Sequence, residues 1–133
     1  MLDLALAMST CLVELRTISA ADELVDAIAI LERSCLNCHD RARRKGGLAL
    51  STRSDGLAGG ESGPALVSGR PEKSLLLEYV TGDPPEMPKS GPRLSQQEIQ
   101  TLQGWIATGA PWPKSERMID RSVQAADGGR CSR

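Results

Sequence analysis

Apolar residues recur at helical spacing in the first half of this chain. In residues 22–34, Leu24, Ile28 and Leu31 are spaced three or four positions apart and continue to Cys35. This spacing places them in one apolar stripe along a helix. The pattern therefore predicts a helix over residues 22–34, with a buried face that leads directly into the segment after it.

A second helix is predicted further along the chain. Ser95 and Glu98 have the spacing of a capping box, in which each side chain accepts a hydrogen bond from the other residue's backbone amide. One face then carries the apolar residues Ile99, Leu102, Trp105 and Ile106. We predict a helix that begins after Ser95, runs to about Thr108 and stops at Gly109.

Glycine interrupts the pattern between these two helices. Residues 46–69 contain seven glycines, a density that does not support a long helix. The apolar residues of this stretch are Leu48, Leu50, Leu57, Leu66 and Val67. They predict a long loop that folds over something apolar. Pro71 and Glu72 then open a short helix through Val80. Its predicted inner face consists of Leu75, Leu76 and Tyr79.

Length and composition indicate how many domains the chain forms and how its core is filled. The 133 residues suffice for one domain with one core. Aromatic residues make up only 2% of the chain and phenylalanine is absent, so a bulky flat group would fill volume that the side chains do not. The elements predicted for this domain are helices joined by a long glycine-rich loop.

Charge and hydropathy exclude some partners and leave export open. A net charge of −1 gives no electrostatic footprint for nucleic acid. The longest uncharged apolar run, residues 4–13, is too short to span a bilayer. It resembles the apolar region of a signal peptide, with small residues at 19–21, although Glu14 and Arg16 interrupt the approach to them. Residues 1–21 are predicted to be a leader or an N-terminal extension; an amphipathic helix and a misassigned start codon are the alternatives.

The candidate chemistry is concentrated in Cys35–His39, which reads Cys-Leu-Asn-Cys-His. This spacing is the attachment signature of c-type haem. Two thiols within one helical turn reach the vinyl groups on one edge of a porphyrin, and the adjacent histidine supplies the proximal ligand. His39 is the only histidine of the chain. The sequence therefore predicts one haem c, bound covalently through Cys35 and Cys38 and at its iron by His39.

Other interpretations of this motif fit less well. A structural zinc site needs four Cys or His ligands, and only the distant Cys11 and Cys131 could complete it. A thioredoxin-like redox pair requires a βαβ pattern, which the sequence lacks. A chance pairing of cysteines before a histidine is the simplest alternative. Cys11 and Cys131 are predicted to be free or cross-linked to each other.

Met87 is the candidate for the second axial ligand. It lies among Pro84, Pro85 and Pro88, in a stretch that cannot be helical. A stiff extended backbone can direct a thioether toward an iron, and His/Met ligation raises the reduction potential. The alternative is a methionine that fills a gap in the core.

A basic run follows the histidine. It consists of Arg41, Arg43, Arg44 and Lys45. Such runs are most often solvated loops. The functional alternatives are pairing with haem propionates and steering of an acidic redox partner.

Taken in order, these motifs resemble the planctomycete-type cytochrome c domain. The resemblance rests on the Cys-x-x-Cys-His run, Lys45-Gly46-Gly47-Leu48, Gly60-Glu61-Ser62-Gly63-Pro64-Ala65-Leu66-Val67, Pro71-Glu72, Met87-Pro88, Leu94-Ser95, Trp105-Ile106 and Gly109-Ala110-Pro111-Trp112. It covers about residues 22–113, which we predict to be the domain, and residues 114–133 are predicted to be a polar tail. Those domains often have glycine and a second proline where this chain has Asp40 and Lys89.

The resemblance implies an all-α fold of the class I cytochrome c type, a small helical bundle around one haem c, with iron bound by His39 and Met87. Electron transfer is then the expected function, and no enzymatic activity is expected, because filled axial positions leave no site for substrate. A haem-based sensor or binding module, in which a ligand displaces Met87, is the alternative. The resemblance also implies export, to the periplasm or an equivalent compartment, and a redox partner protein whose identity the sequence does not give.

Overall fold

The computed structural model describes residue 17 and residues 19–114. This part of the chain contains five α-helices, two short 3-10 turns and no strand, which confirms the predicted all-α class there. The helices are α1 (Ala20–Ser34), α2 (Leu36–His39), α3 (Arg53–Ala58), α4 (Leu75–Val80) and α5 (Gln96–Ala107), and the turns are Lys45–Gly47 and Pro71–Lys73. Most of the predicted leader, Cys11, Cys131 and the tail beyond Lys114 lie outside the described residues. None of the described helices is long and apolar enough to cross a membrane.

Helix α1 begins two residues earlier than predicted. Ser19 is its N-cap, and the hydroxyl of Ser19 accepts a hydrogen bond from the amide of Ala21 at 3.3 Å. The fully buried positions are Ala27, Ile30 and Leu31, whereas the predicted stripe residues Leu24, Ile28 and Cys35 pack at the edge of the core. The buried face is therefore displaced around the helix from the predicted stripe, although the two overlap at Leu31.

Helix α5 forms as predicted and packs against α1. The Ser95 hydroxyl accepts a hydrogen bond from the Glu98 amide at 3.2 Å, and the Glu98 carboxylate accepts one from the Ser95 amide at 2.8 Å. The predicted apolar face is buried in the core. Trp105 is completely buried, and its indole N–H donates to the carbonyl of Pro111 at 2.8 Å. This bond satisfies the polar group of the largest side chain in the core.

The glycine-rich stretch contains a short helix that the sequence did not predict. Helix α3 starts at the N-cap Thr52, whose hydroxyl accepts a hydrogen bond from the amide of Asp55 at 3.2 Å. Gly56 lies inside α3, where an added Cβ would be 2.6 Å from a methyl carbon of Leu66. Leu50 and Leu66 are buried, so the stretch does fold over an apolar core as expected.

The predicted helix from Pro71 to Val80 is broken at Ser74, and this part of the prediction was wrong. The buried Ser74 hydroxyl accepts a hydrogen bond from the Val67 amide at 2.9 Å and donates one to the Arg70 carbonyl at 3.0 Å. These bonds tie the helix start to the preceding loop, so that the 3-10 turn and α4 remain separate. Helix α4 buries Leu76, Leu77 and Val80 in the core.

Candidate functional site

Three distant segments of the chain meet around one cavity of about 270 Å³. Its lining includes Cys35, Cys38, His39 and Met87, the four residues that the sequence singled out. Much of the remaining lining is apolar and comprises Leu48, Leu50, Ala65, Leu75, Leu76, Val80 and Leu94. The predicted inner face of α4 also lies here, because Tyr79 lines the cavity beside Leu75 and Leu76. An apolar cavity with a few polar groups is typical of a cofactor site.

The ring of His39 is fixed in one orientation. Its Nδ1 atom lies 3.1 Å from the carbonyl oxygen of Lys45. Because a carbonyl can only accept, Nδ1 carries the proton and Nε2 keeps its lone pair. Burial lowers the pKa of His39, although hydrogen bonds to the backbone of Lys45 and Leu48 act in the opposite direction. A neutral imidazole with an unprotonated nitrogen is the form that binds a metal.

The backbone around His39 is held equally closely. The amide of Leu50 donates to the carbonyl of His39 at 2.7 Å, and the amide of Glu61 donates to the carbonyl of Gly46 at 2.9 Å. Gly60 allows this approach, because a Cβ there would be 2.5 Å from the Gly46 carbonyl oxygen. Hydrogen bonds therefore hold the Lys45–Gly47 turn at two points. The Lys45 carbonyl binds the His39 ring, and the Gly46 carbonyl binds the amide of Glu61.

The two cysteines of the motif are in different chemical states. Cys35 has a free thiol, whereas the sulfur of Cys38 is in a disulfide bond. Burial raises the pKa of the Cys35 thiol to about 12, only partly offset by the positive charge of Arg33. Cys35 is therefore protonated at neutral pH and is a poor attacking group for disulfide exchange. Thioether formation at Cys38 requires prior reduction of its disulfide.

Met87 lies on the same cavity in a segment without helical structure. It is half-buried and packs against the core, and its amide donates to the carbonyl of Tyr79 at 2.8 Å. This bond ties the methionine to the end of α4. The structure thus brings Met87 and His39 to one cavity from segments about fifty residues apart in the sequence.

The basic run after the histidine is partly neutralised within the chain. Arg41 pairs with Asp55 at 2.9 Å, and Arg43 pairs with Asp40 at 2.8 Å. Asp40 is only 3% exposed, and sequence reasoning did not identify it as a site residue. The available signal was its position directly after the histidine of the motif. The run is therefore a structured loop with internal ion pairs.

The chemistry of this lining fits a porphyrin better than a bare metal ion. Among the described residues, no group of three or more His, Cys, Asp or Glu side chains could hold a metal ion. A zinc site built from protein ligands needs at least three of them. A flat apolar ring that brings its own four nitrogen ligands needs only an apolar cavity, attachment points and axial ligands, which these residues offer.

Residues 35–91 match the family model described as planctomycete cytochrome C. The match confirms the family resemblance inferred from the sequence motifs. It extends from the first cysteine of the motif past Met87 and ends before α5. No curated protein and no solved structure matches the chain.

Proposed function

We propose that this chain carries electrons through a single covalently attached haem c, because residues 35–91 match the family model described as planctomycete cytochrome C. The observation that supports this most strongly is the meeting of Cys35, Cys38, His39 and Met87 on one apolar cavity. When bound, the haem supplies a one-electron Fe(III)/Fe(II) couple. The protein residues attach it, fix its axial ligands and restrict access of water.

Each of the four residues has a distinct role in this proposal. Cys35 and Cys38 would hold the haem through two thioethers, each formed by addition of a thiol S–H across a vinyl double bond with no leaving group. The Cys38 disulfide is first reduced by two electrons from a thiol reductant. His39 would hold the iron through its unprotonated Nε2, and Met87 would hold it through its thioether sulfur.

With His39 and Met87 both bound to the iron, no position would remain for a substrate, so the chain would act as a carrier rather than an enzyme. A haem peroxidase needs an open distal position and a distal acid–base group, and the chain has no second histidine to supply one. The apolar lining also favours the less charged reduced state of the site. We further propose that the protein is exported to the periplasm or an equivalent compartment and exchanges electrons with a partner redox protein. Nucleic acid is not a proposed partner.

A second candidate is a haem-based sensor or binding module. The observation that favours it is the position of Met87 in a non-helical segment that the Tyr79 carbonyl ties to α4. A ligand that displaces Met87 could move this segment without disturbing the helices.

The two candidates differ in how the wild-type haem protein responds to ligands. The full chain would be co-expressed with a c-haem maturation system, reduced, titrated electrochemically and exposed to carbon monoxide. An electron carrier gives one reversible one-electron transition and no carbon monoxide complex. Formation of that complex in the unmodified protein would support the sensor, and an irreversible or absent transition would contradict both candidates.

A further inference from the structure

The hydrogen bond from His39 to Lys45 depends on the loop that connects these two residues. Residues 40–45 must reverse the chain so that the Lys45 carbonyl returns to the imidazole ring. Arg44 has a φ of +41°, in the left-handed region that L-residues rarely adopt. A conformation of this kind persists only where its surroundings hold it.

Asp40 is the residue that holds this loop. One carboxylate oxygen accepts a hydrogen bond from the Arg43 amide at 2.6 Å, and the other accepts one from the Arg43 guanidinium at 2.8 Å. The Asp40 carbonyl accepts a third bond from the Arg44 amide at 3.0 Å. Asp40 is therefore bonded to both residues that precede Lys45.

The burial of Asp40 favours the loop conformation in which these bonds form. Its side chain is 5% exposed, whereas that of Arg43 is 40% exposed. A carboxylate removed from water in this way must be paired, so the loop conformation that supplies the Arg43 donors is favoured over others. Arg41 anchors the same loop to Asp55 of α3.

We propose that Asp40 is a positioning residue for the iron ligand: together with Arg43 it fixes the loop that presents the Lys45 carbonyl to the Nδ1–H of His39. This inference rests on the proposed function and deepens it. A well-placed acceptor at Nδ1 gives the imidazole partial imidazolate character, which makes Nε2 a stronger donor and stabilises Fe(III). Asp40 thus lowers the reduction potential through His39.

Charge-conserving variants separate this role from simple electrostatics. Asp40→Glu and Arg43→Lys keep both charges but displace the carboxylate and remove the guanidinium geometry. Both are expected to raise the reduction potential of the haem-loaded full chain, Asp40→Glu by more. The matched controls are Asp26→Glu and Arg70→Lys, which make the same exchanges at exposed residues that do not line the cavity. The controls should leave the potential unchanged.

Hydrogen exchange of the Nδ1 proton provides the second readout. His39 is the only histidine, so its signal in the diamagnetic reduced protein is unambiguous. Asp40→Glu should accelerate this exchange by about tenfold, the equivalent of one typical hydrogen bond, and Arg43→Lys by less. The buried amide of Leu102 should exchange as in the wild type, which shows that the fold is intact.

Each outcome decides one question. Faster Nδ1 exchange with a raised potential in either variant supports the inference, and Arg43→Lys provides the test if Asp40→Glu does not fold. Unchanged exchange and potential in a correctly loaded variant would overturn the inference alone. A wild-type chain that accepts no covalent haem would overturn the proposed function, and the inference with it.

Discussion

The two candidate iron ligands are held by very different surroundings. His39 ends helix α2, its ring binds the Lys45 carbonyl, and its own carbonyl accepts the amide of Leu50. Met87 lies in a non-helical segment, residues 81–94, in which most side chains are exposed. Its backbone amide joins it to α4, while Glu86 and Lys89 on either side are exposed.

This difference predicts different roles for the two candidate ligands. The histidine side has few ways to rearrange, because its ring, its backbone and the following loop are all hydrogen-bonded. The methionine side can open locally at a smaller cost in free energy, as is usual for exposed segments with few buried contacts. We therefore expect His39 to fix the position of the haem and Met87 to adjust its reduction potential.

Replacement of Met87 should have the largest effect on the haem without unfolding the protein. Met87→Ala removes the candidate thioether ligand, so the reduced protein should bind carbon monoxide. The reduction potential should fall by on the order of 0.1 V, a modest part of the ~0.8 V range that haem environments span. Spectroelectrochemistry measures both effects. Met118→Ala is the matched control, and equal behaviour of the two variants would show that Met87 is not a ligand.

Gly60→Ala should disrupt the histidine side. The new Cβ would approach the Gly46 carbonyl oxygen to 2.5 Å, a backbone contact that no side-chain rotation relieves. We expect a loss of about 1–3 kcal/mol in the free energy of unfolding, as for other overpacked sites. Chemical denaturation of the haem-loaded protein measures it.

Gly91→Ala is the corresponding change near the methionine side. A Cβ there meets nothing within 4 Å, although the φ of +83° introduces some strain. The loss should be smaller than for Gly60→Ala. Equal losses of unfolding free energy in the two variants would contradict the proposed difference between the histidine side and the methionine side.

The capping box of α5 fixes the end of the methionine segment. Ser95→Ala removes the side-chain cap and should cost about 1 kcal/mol of folding free energy. The change should leave the haem spectrum intact, because α5 does not contribute to the cavity lining. A spectrum altered as strongly as in Met87→Ala would show that the two segments are coupled.

Acid should weaken the same helix start through Glu98. Hydrogen bonding from the Ser95 backbone, followed by the pairing with Arg33, lowers the pKa of Glu98 below its ordinary value of 4.5. A lowered folded-state pKa contributes stability that is present above pH 4.5 and is lost as the pH falls through the folded value. Glu98→Gln should flatten this part of the pH–stability curve. An unchanged acid slope would contradict the assignment.

The sequence motifs identified four residues that line the cavity, but not the hydrogen bonds that hold them in place. The Cys35–His39 motif has the spacing of haem c attachment, and the prolines around Met87 drew attention to that residue, so these candidates could be named without a structure. Helix α5 was also predictable, because its capping box and apolar face are local signals. The family match over residues 35–91 confirms the resemblance that these motifs carried.

The remaining features depend on contacts between distant residues. Helix α3 was missed because glycine density indicates a loop, whereas the Thr52 cap and the Gly56–Leu66 contact stabilise a short helix. The break at Ser74 arises from hydrogen bonds to Val67 and Arg70, which no periodicity reveals. The contact of Lys45 with His39 likewise depends on a loop conformation rather than on residue type.

The most direct test of the account is a pyridine haemochrome spectrum of the full chain, co-expressed with a c-haem maturation system and exported. The account predicts the spectrum of a haem with two thioether bonds, retained after denaturation and lost in the Cys35→Ala/Cys38→Ala double variant. A well-exported wild-type protein without covalently bound haem would contradict it.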